Sequence, residues 1–172
     1  MHKDLKSFSE GDRKVIHDVN THGWHVVKIL PEKDNPGWAF SIGLFHTFNH
    51  PEIVIFGLSL EIMHSVINSI GEDIRSGKVF RSESKQTGLI EGYDCAFKTV
   101  NRNWYQPILG YATWFYKGND FPTLQCIWPD KTHRFPWEDG FYQAWAYAQP
   151  LLFRATPEEA RVEKLLKSLK KS

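Results

Sequence analysis

Short apolar blocks alternate with polar segments along the chain, and the first half contains three blocks that predict β-strands. They cover residues 24–30, 38–44 and 53–58. The second block alternates with a period of two, and the third is apolar throughout, as expected for a central strand covered on both faces. The links between the three are too short for crossover helices, so we predict an antiparallel meander.

The second of these strands has one face made only of small residues, Ala39, Ser41 and Gly43, opposite a face of large apolar residues. A strand face made of small side chains permits close approach of a helix, another backbone or a ligand. We expect a helix to pack on this face. A groove that binds a small ligand is the alternative.

Helical spacing of apolar residues predicts about four helices. They cover residues 10–20, 60–76, 104–116 and 157–169. The first and last begin with recognisable signals: Ser9 with Asp12 forms a capping-box variant, and Thr156 precedes Pro157 at the first helical position.

Two further strands are predicted over residues 93–100 and 123–128, and residues 78–88 are expected to form a loop or a short hairpin. Strands and helices do not alternate regularly, which disfavours a doubly wound parallel sheet. We therefore predict an α+β fold, with a mostly antiparallel sheet packed with about four helices, in a single domain over residues 1–172.

Composition and charge narrow the class of protein. The net charge is +1, which favours neither nucleic acid nor an anionic membrane as a partner. The N-terminus lacks the apolar core of a signal peptide, and no stretch is long and apolar enough to span a membrane. Cys95 and Cys126 do not form a Cys-x-x-Cys pair, so we expect buried free thiols in a reducing compartment. We predict a cytoplasmic protein with no membrane partner and, since glycine-rich phosphate cradles are absent, no cofactor.

The segment from Trp128 to Gly140 is the strongest candidate for a functional surface. It combines two prolines, three aromatic residues and six charged or titratable ones. Loops of this kind carry function more often than the elements beside them, and aromatic residues and arginine dominate interface hot spots. We therefore predict a partner-binding surface that contains Asp130, His133, Arg134 and Trp137.

The same segment also allows a catalytic interpretation. Imidazole titrates near neutral pH, and Asp130 or Glu138 could orient His133 as a general base. A small hydrolase would then use a pocket near Ser41 and His46. The sequence contains no recognised nucleophile turn, however, so catalysis is the alternative and not the leading interpretation.

His46-x-x-x-His50 has a spacing that would bind zinc on a helix. Residues 45–51, however, are predicted to connect two strands, no Cys or third His is nearby, and Glu52 is the only adjacent carboxylate. A metal site at His46 and His50 is therefore a minor alternative. The main expectation is a turn whose imidazoles form hydrogen bonds with backbone groups.

Three other histidines give weaker signals. His22 and His25 flank Gly23-Trp24 with opposite facings, and His64 lies on the polar face of the predicted helix 60–76. We expect no ligand pair from His22 and His25, and we expect His64 to be solvated.

Several segments together resemble the bacterial domain-of-unknown-function family numbered 4262. The segments that carry the resemblance are Gly23-Trp24 and residues 38–44, 50–58, 124–130, 134–137 and 149–150. The resemblance covers about residues 24–152, and leaves the predicted C-terminal helix at about 157–169 outside. It implies a small bacterial protein, mostly found as a stand-alone domain, with no established activity and no defined catalytic residues.

Three functional hypotheses follow. The leading one is a non-catalytic protein-binding module, of which a toxin-neutralising immunity protein would be one kind. Small orphan bacterial domains often serve as accessory or toxin-neutralising partners, which is an analogy at the level of the class. The alternatives are the hydrolase that uses His133 with Asp130 or Glu138, and a small-ligand-binding module over the small-residue strand face.

Overall fold

A computed structural model describes residues 7–171. The α-helices of these residues are α1 (Glu10–His22), α2 (Leu44–Phe48), α3 (Leu60–Arg75), α4 (Tyr105–Ile108), α5 (Gly110–Tyr116) and α6 (Glu163–Leu169). The strands are β1 (His25–Ile29), β2 (Trp38–Ile42), β3 (Glu52–Phe56), β4 (Ser84–Ile90), β5 (Tyr93–Thr99) and β6 (Thr123–Ile127). None of these helices is long and apolar enough to cross a membrane.

The six strands form one mixed sheet in the order β1-β2-β3-β6-β5-β4. β1, β2 and β3 pair as the predicted antiparallel meander, and β4, β5 and β6 form a second antiparallel set. The two sets join through the parallel pair of β3 with β6. The prediction of an α+β fold with a mostly antiparallel sheet is therefore confirmed.

Helices cover both faces of the sheet, which explains the apolar strands at its centre. α3 packs on one face through residues at helical spacing: Met63, Val66, Ile67, Ile70 and Ile74. α1, α4, α5 and the C-terminal segment build the core on the other face. The predicted capping box at the start of α1 is present, with the Ser9 side chain accepting from the Asp12 amide and the Asp12 side chain accepting from the Ser9 amide.

The small-residue face of β2 lies in the interior of this sandwich. Ala39 is fully buried in the core that α3 forms, and Ser41 is fully buried as well. A Cβ atom on Gly43 would lie 2.7 Å from the Gly23 carbonyl oxygen, so this face also allows close approach of a second backbone. The expectation of helix packing is confirmed, and the alternative of a ligand groove over this face is wrong because the space is filled.

The predicted helix 104–116 is broken into pieces. A 3-10 turn at 102–104 begins it, with the Asn101 side chain accepting from the Asn103 amide, and Leu109 then separates α4 from α5. The break precedes Gly110, and glycine has a weak helical preference. This break, together with the short helix α2, raises the number of α-helices in residues 7–171 from the expected four to six.

The predicted helix 157–169 also has two parts. The Thr156 hydroxyl accepts a hydrogen bond from the Glu159 amide at 3.3 Å, so the predicted cap is present. The turn nevertheless ends at Arg161, whose φ of 57° is left-handed, and α6 begins two residues later. The Arg161 guanidinium donates to the carbonyls of Pro136 and Ala146, so contacts outside the helix accompany the break.

Strand β4 was not predicted. It begins inside residues 78–88, which were expected to form a loop or a short hairpin, and it ends two residues beyond them. It is an edge strand, and none of its seven residues is buried. Edge strands are often polar, so the apolar signal on which the prediction relied is missing here.

Candidate functional site

The 128–140 loop is organised around the carboxylate of Asp130, which is 2% exposed. One carboxylate oxygen accepts from the Thr132 amide at 2.8 Å, the Thr132 hydroxyl at 2.7 Å and the Arg134 amide at 3.1 Å. The other accepts from the Tyr142 amide at 2.9 Å. Asp130 therefore holds the backbone of the loop in place. A direct contact of its side chain with a partner stays a prediction.

These hydrogen bonds also determine the charge of Asp130. Burial raises the pKa of its carboxyl group, but the hydrogen bonds from Thr132 and from the Arg134 and Tyr142 amides outweigh burial and lower the pKa to about 2. The carboxylate is thus ionised throughout the physiological pH range.

Aromatic side chains fix the second half of the loop to the body of the protein. Phe135 is buried and stacks on Trp137, with ring centroids 5.1 Å apart and an interplanar angle of 6°. The ammonium of Lys98 lies 4.7 Å from the centroids of both Trp137 and Phe153. Trp137 is half-buried, so one part of its ring packs against the protein and the other part is accessible to solvent.

His133 and Arg134 lie on the exposed rim of the loop. The His133 backbone has a left-handed φ of 66°, and its ring is 5.0 Å from the ring of Tyr93. The Arg134 guanidinium donates to the Gly140 carbonyl at 3.1 Å, which closes the loop. Of the predicted binding residues, His133 and Arg134 therefore lie on the protein surface.

The catalytic interpretation of this loop lacks its expected geometry. The Asp130 carboxylate is bound to loop donors, and the Glu138 carboxylate accepts from the Phe135 amide at 2.6 Å. The His133 imidazole packs against a tyrosine ring instead of either carboxylate. The hypothesis also includes a pocket near Ser41 and His46. Such a pocket does not reach Ser41, because the Ser41 hydroxyl is fully buried and donates to Glu52, whereas His46 is exposed on α2.

An apolar pocket of about 190 Å³ lies beside the loop, and we call it the loop pocket. Its lining residues come from four segments of the chain: Leu58, Ile90, Tyr93, Trp128, Pro129, Asp130, Lys131 and Trp145. The Trp128 indole donates to the Phe56 carbonyl at 2.7 Å, which fixes one wall. Trp145 forms an edge contact with Trp128 at 5.7 Å, and Tyr142, 55% exposed, extends the aromatic surface.

Sequence reasoning missed this pocket because its walls are distant in the chain. The aromatic composition of residues 141–153 was a usable signal, but no periodicity assigned them to an element. Two buried glutamines position the segment. Gln149 exchanges two hydrogen bonds with the Trp128 backbone, and Gln125 donates to the Pro150 carbonyl and accepts from the Leu152 amide.

Sequence reasoning also overlooked a buried hydrogen-bond network centred on Glu52, which is 1% exposed. The carboxylate accepts from the hydroxyls of Ser41 and Tyr116 and from the backbone amides of residues 43–45. Burial raises the pKa of Glu52, while the hydrogen bonds from Ser41 and Tyr116 oppose the increase. Because this network is enclosed, we assign it to the fold and not to a reaction.

His46 and His50 have different environments, contrary to what a shared metal site needs. The His50 Nδ1 is 2.8 Å from the Pro51 carbonyl, and its Nε2 accepts from the Phe80 amide at 3.0 Å. Both nitrogens are thus occupied, and burial lowers the pKa of His50, which keeps the ring neutral. Exposed His46 lies on the short helix α2, where a connection between strands was expected, and its ring packs against the ring of Phe115. Within residues 7–171 no group of three or more His, Cys, Asp or Glu residues is arranged to hold a metal ion.

The fold and the loop together define a small α+β domain with a braced surface loop and an apolar pocket beside it. A family model described as Domain of unknown function (DUF4262) matches residues 18–142, and the chain belongs to this family. The match includes the motif segments up to Trp137 and ends before Gln149-Pro150. No curated protein and no solved structure matches the chain.

Proposed function

We propose that this protein is a non-catalytic protein-binding module whose partner docks on the 128–140 loop and the loop pocket. The specific form we propose is neutralisation of a bacterial toxin by this surface. The compartment we propose is the cytoplasm, where the two buried free thiols of Cys95 and Cys126 would remain reduced.

The observation that carries the proposal is an apolar pocket with a rim of exposed polar and aromatic side chains. The pocket is lined almost entirely by apolar surface, and exposed Lys131 is part of its lining. Exposed His133 and Tyr142 pack against two lining residues, Tyr93 and Trp145. Interface hot spots have this arrangement, with an aromatic or aliphatic anchor in a dry pocket and polar groups that exclude water around it.

The rigidity of the loop supports the same function. Binding costs free energy when a mobile loop has to be ordered. Here Asp130 bonds four donors of the loop and its flank, and Phe135 stacks on Trp137. The loop is therefore already ordered before a partner arrives, so more of the contact energy is available for affinity.

The proposal is tested by capturing a partner with the wild-type protein and then measuring its affinity for paired variants. Lys131→Glu and Tyr142→Ser change the proposed surface. Lys33→Glu and Tyr147→Ser are matched controls, because both residues are exposed and neither lines the loop pocket. We expect the two surface variants to bind about 10-fold more weakly or worse, and the controls to bind as the wild type does.

Arg134→Ala and Trp137→Ala extend the test to the residues first predicted from the sequence. Trp137 packs on Phe135, so circular dichroism must first establish that its variant is folded. If loop variants and controls bind alike, the docking surface is wrong. Neutralisation itself is tested by co-expression: the wild type, but not Lys131→Glu, should restore growth to cells that produce the captured partner.

A further inference from the structure

A polar groove of about 600 Å³ lies at the opposite end of the sheet from the loop, where α1 and α3 border the edge strand β1. Each helix contributes a line of polar side chains at intervals of four residues. The lines are Lys14, Asp18 and His22 on α1, and His64, Asn68 and Glu72 on α3. We call this site the β1 groove.

On the α1 side, Asp18 fixes the orientation of His25. The Nδ1 atom of His25 lies 2.7 Å from the Asp18 carboxylate, and the two side chains are only 16% and 17% exposed. Because a carboxylate can only accept, Nδ1 carries the proton. Nε2 is left for another partner, from which it accepts in the neutral ring and to which it donates in the protonated ring. Lys14 also donates to the Asp18 carboxylate at 3.1 Å, so the same oxygen, Oδ2, is bonded to both Lys14 and His25.

On the α3 side, a chain of hydrogen bonds determines the state of His64. The Trp24 indole N–H can only donate, and it bonds the Asn68 side-chain oxygen at 3.0 Å. The Asn68 amide nitrogen therefore faces the His64 Nε2 at 3.3 Å and donates to it, which requires a neutral imidazole. Burial, with the charges of Lys28 and His25 nearby, lowers the pKa of His64 and agrees with this state.

Cationic side chains outnumber carboxylates in the lining of the groove. Asp18 is bonded to His25 and Lys14, and Glu72 is paired with Arg75 at 3.3 Å. Lys28 adds a further cation to the lining. A ligand that enters the groove therefore meets ammonium and imidazole groups, and it meets carboxylates that already have partners.

We propose that the β1 groove binds a small phosphorylated molecule, with its phosphate held by Lys14, Lys28 and the protonated ring of His25. A volume of about 600 Å³ is larger than phosphate alone needs and lies within the range of small-molecule sites, so the groove has room for an organic group as well.

The type of donor favours phosphate over carboxylate. Planar carboxylates are best recognised by the bidentate fork of arginine. In this groove the fork of Arg75 is already used: it donates to Glu72 and to the His22 carbonyl, and it lies over the Trp24 ring. Lys28, the N–H donors of Lys14 that Asp18 does not use, and the protonated ring of His25 remain. These point donors suit a tetrahedral anion whose oxygens can be approached from several directions.

Binding is tested by isothermal titration calorimetry with ribose 5-phosphate and inorganic phosphate, and with ribose as the uncharged comparison. We expect saturable binding of the two phosphates at concentrations below about 10 mM and none of ribose. His25→Gln and Lys28→Gln should weaken binding about 10-fold or more. His17→Gln and Arg13→Gln are matched controls on the exposed surface of α1 outside the groove lining, and they should bind as the wild type does.

The proposal is overturned if neither phosphate binds the wild type, or if the groove variants and the controls bind equally well. It is also overturned if ribose binds as well as ribose 5-phosphate. Lys131→Glu, at the other end of the sheet, should leave phosphate binding unchanged. Failure here and failure of the protein-binding proposal are therefore separate results.

Discussion

Glu52 and Asp130 each follow a proline and are each almost fully buried, yet they stabilise very different lengths of chain. The donors to Glu52 come from three separate parts of the fold: Ser41 on β2, the amides of residues 43–45 at the start of α2, and Tyr116 on α5. Tyr116 is 64 residues away along the chain.

The donors to Asp130 are local by contrast. Thr132, Arg134 and Tyr142 all lie within 12 residues of it. The same chemical device, a carboxylate that accepts from several amides and hydroxyls, therefore joins elements of the core in one place and shapes a single loop in the other. The comparison teaches that sequence separation of the partners, and not burial alone, decides whether a buried carboxylate supports the fold or a surface.

The largest effect is expected when Glu52 is removed. Glu52→Ala leaves several buried donors without an acceptor, and each unsatisfied buried group costs about 1–3 kcal/mol. We expect the free energy of unfolding to fall by at least about 3 kcal/mol, measured by urea denaturation. Glu91→Ala, at an exposed turn, is the control and should change it by less than about 0.5 kcal/mol. Similar values for the two variants would remove Glu52 from the centre of the fold.

The network at Glu52 could not be predicted, although much of the fold could. The meander of β1, β2 and β3 was predictable because apolar period and link length are local properties. The parallel pairing of β3 with β6 was not, because nothing local specifies which distant strand becomes a neighbour. The donors to Glu52 depend on the same long-range arrangement, so the sequence displays only an isolated glutamate after a proline.

The candidate site was predictable to a similar degree. Proline and aromatic composition identified the 128–140 loop, and the exposed positions of His133 and Arg134 agree with the predicted surface. The sequence could not indicate that Asp130 turns inward, since the Tyr142 amide reaches it only after the loop has closed. Likewise the pairing of His25 with Asp18 joins a strand to a helix, and strand facing alone does not indicate it.

A smaller and more local effect is expected at Asp130. Asp130→Ala should leave the sheet intact but accelerate amide hydrogen exchange at Thr132, Arg134 and Tyr142 about 10-fold or more, because these donors lose their acceptor. Asp139→Ala, an exposed residue of the same loop, is the matched control. If exchange accelerates equally throughout the sheet, Asp130 supports the whole fold and the contrast with Glu52 disappears.

Acid titration separates the two carboxylates further. The Asp130 pKa is lowered from 3.8 to about 2, so its stabilisation is fully present above about pH 4 and is lost as the pH falls toward 2. The Glu52 pKa is raised from 4.5, so stabilisation linked to its protonation is present below pH 4.5 and decreases as the pH rises through the folded-state value. The free energy of unfolding of the wild type, minus that of Asp130→Asn, should therefore increase as the pH rises. The same difference taken with Glu52→Gln should decrease as the pH rises.

The smallest effect is expected at His133, whose left-handed backbone is a consequence of the way Asp130 closes the loop. The left-handed conformation costs a non-glycine residue about 1–2 kcal/mol, whereas glycine avoids this cost and loses about 0.5–1 kcal/mol in chain entropy. His133→Gly and His133→Ala both remove the ring and its contact with Tyr93, so they differ only in the backbone. We expect the glycine variant to be more stable than the alanine variant by up to about 1 kcal/mol in urea denaturation.

In an Asp130→Ala background the loop can relax, so the difference in stability between the glycine and alanine variants should shrink toward zero. A difference that stays constant in both backgrounds would mean that the strain at His133 does not depend on Asp130.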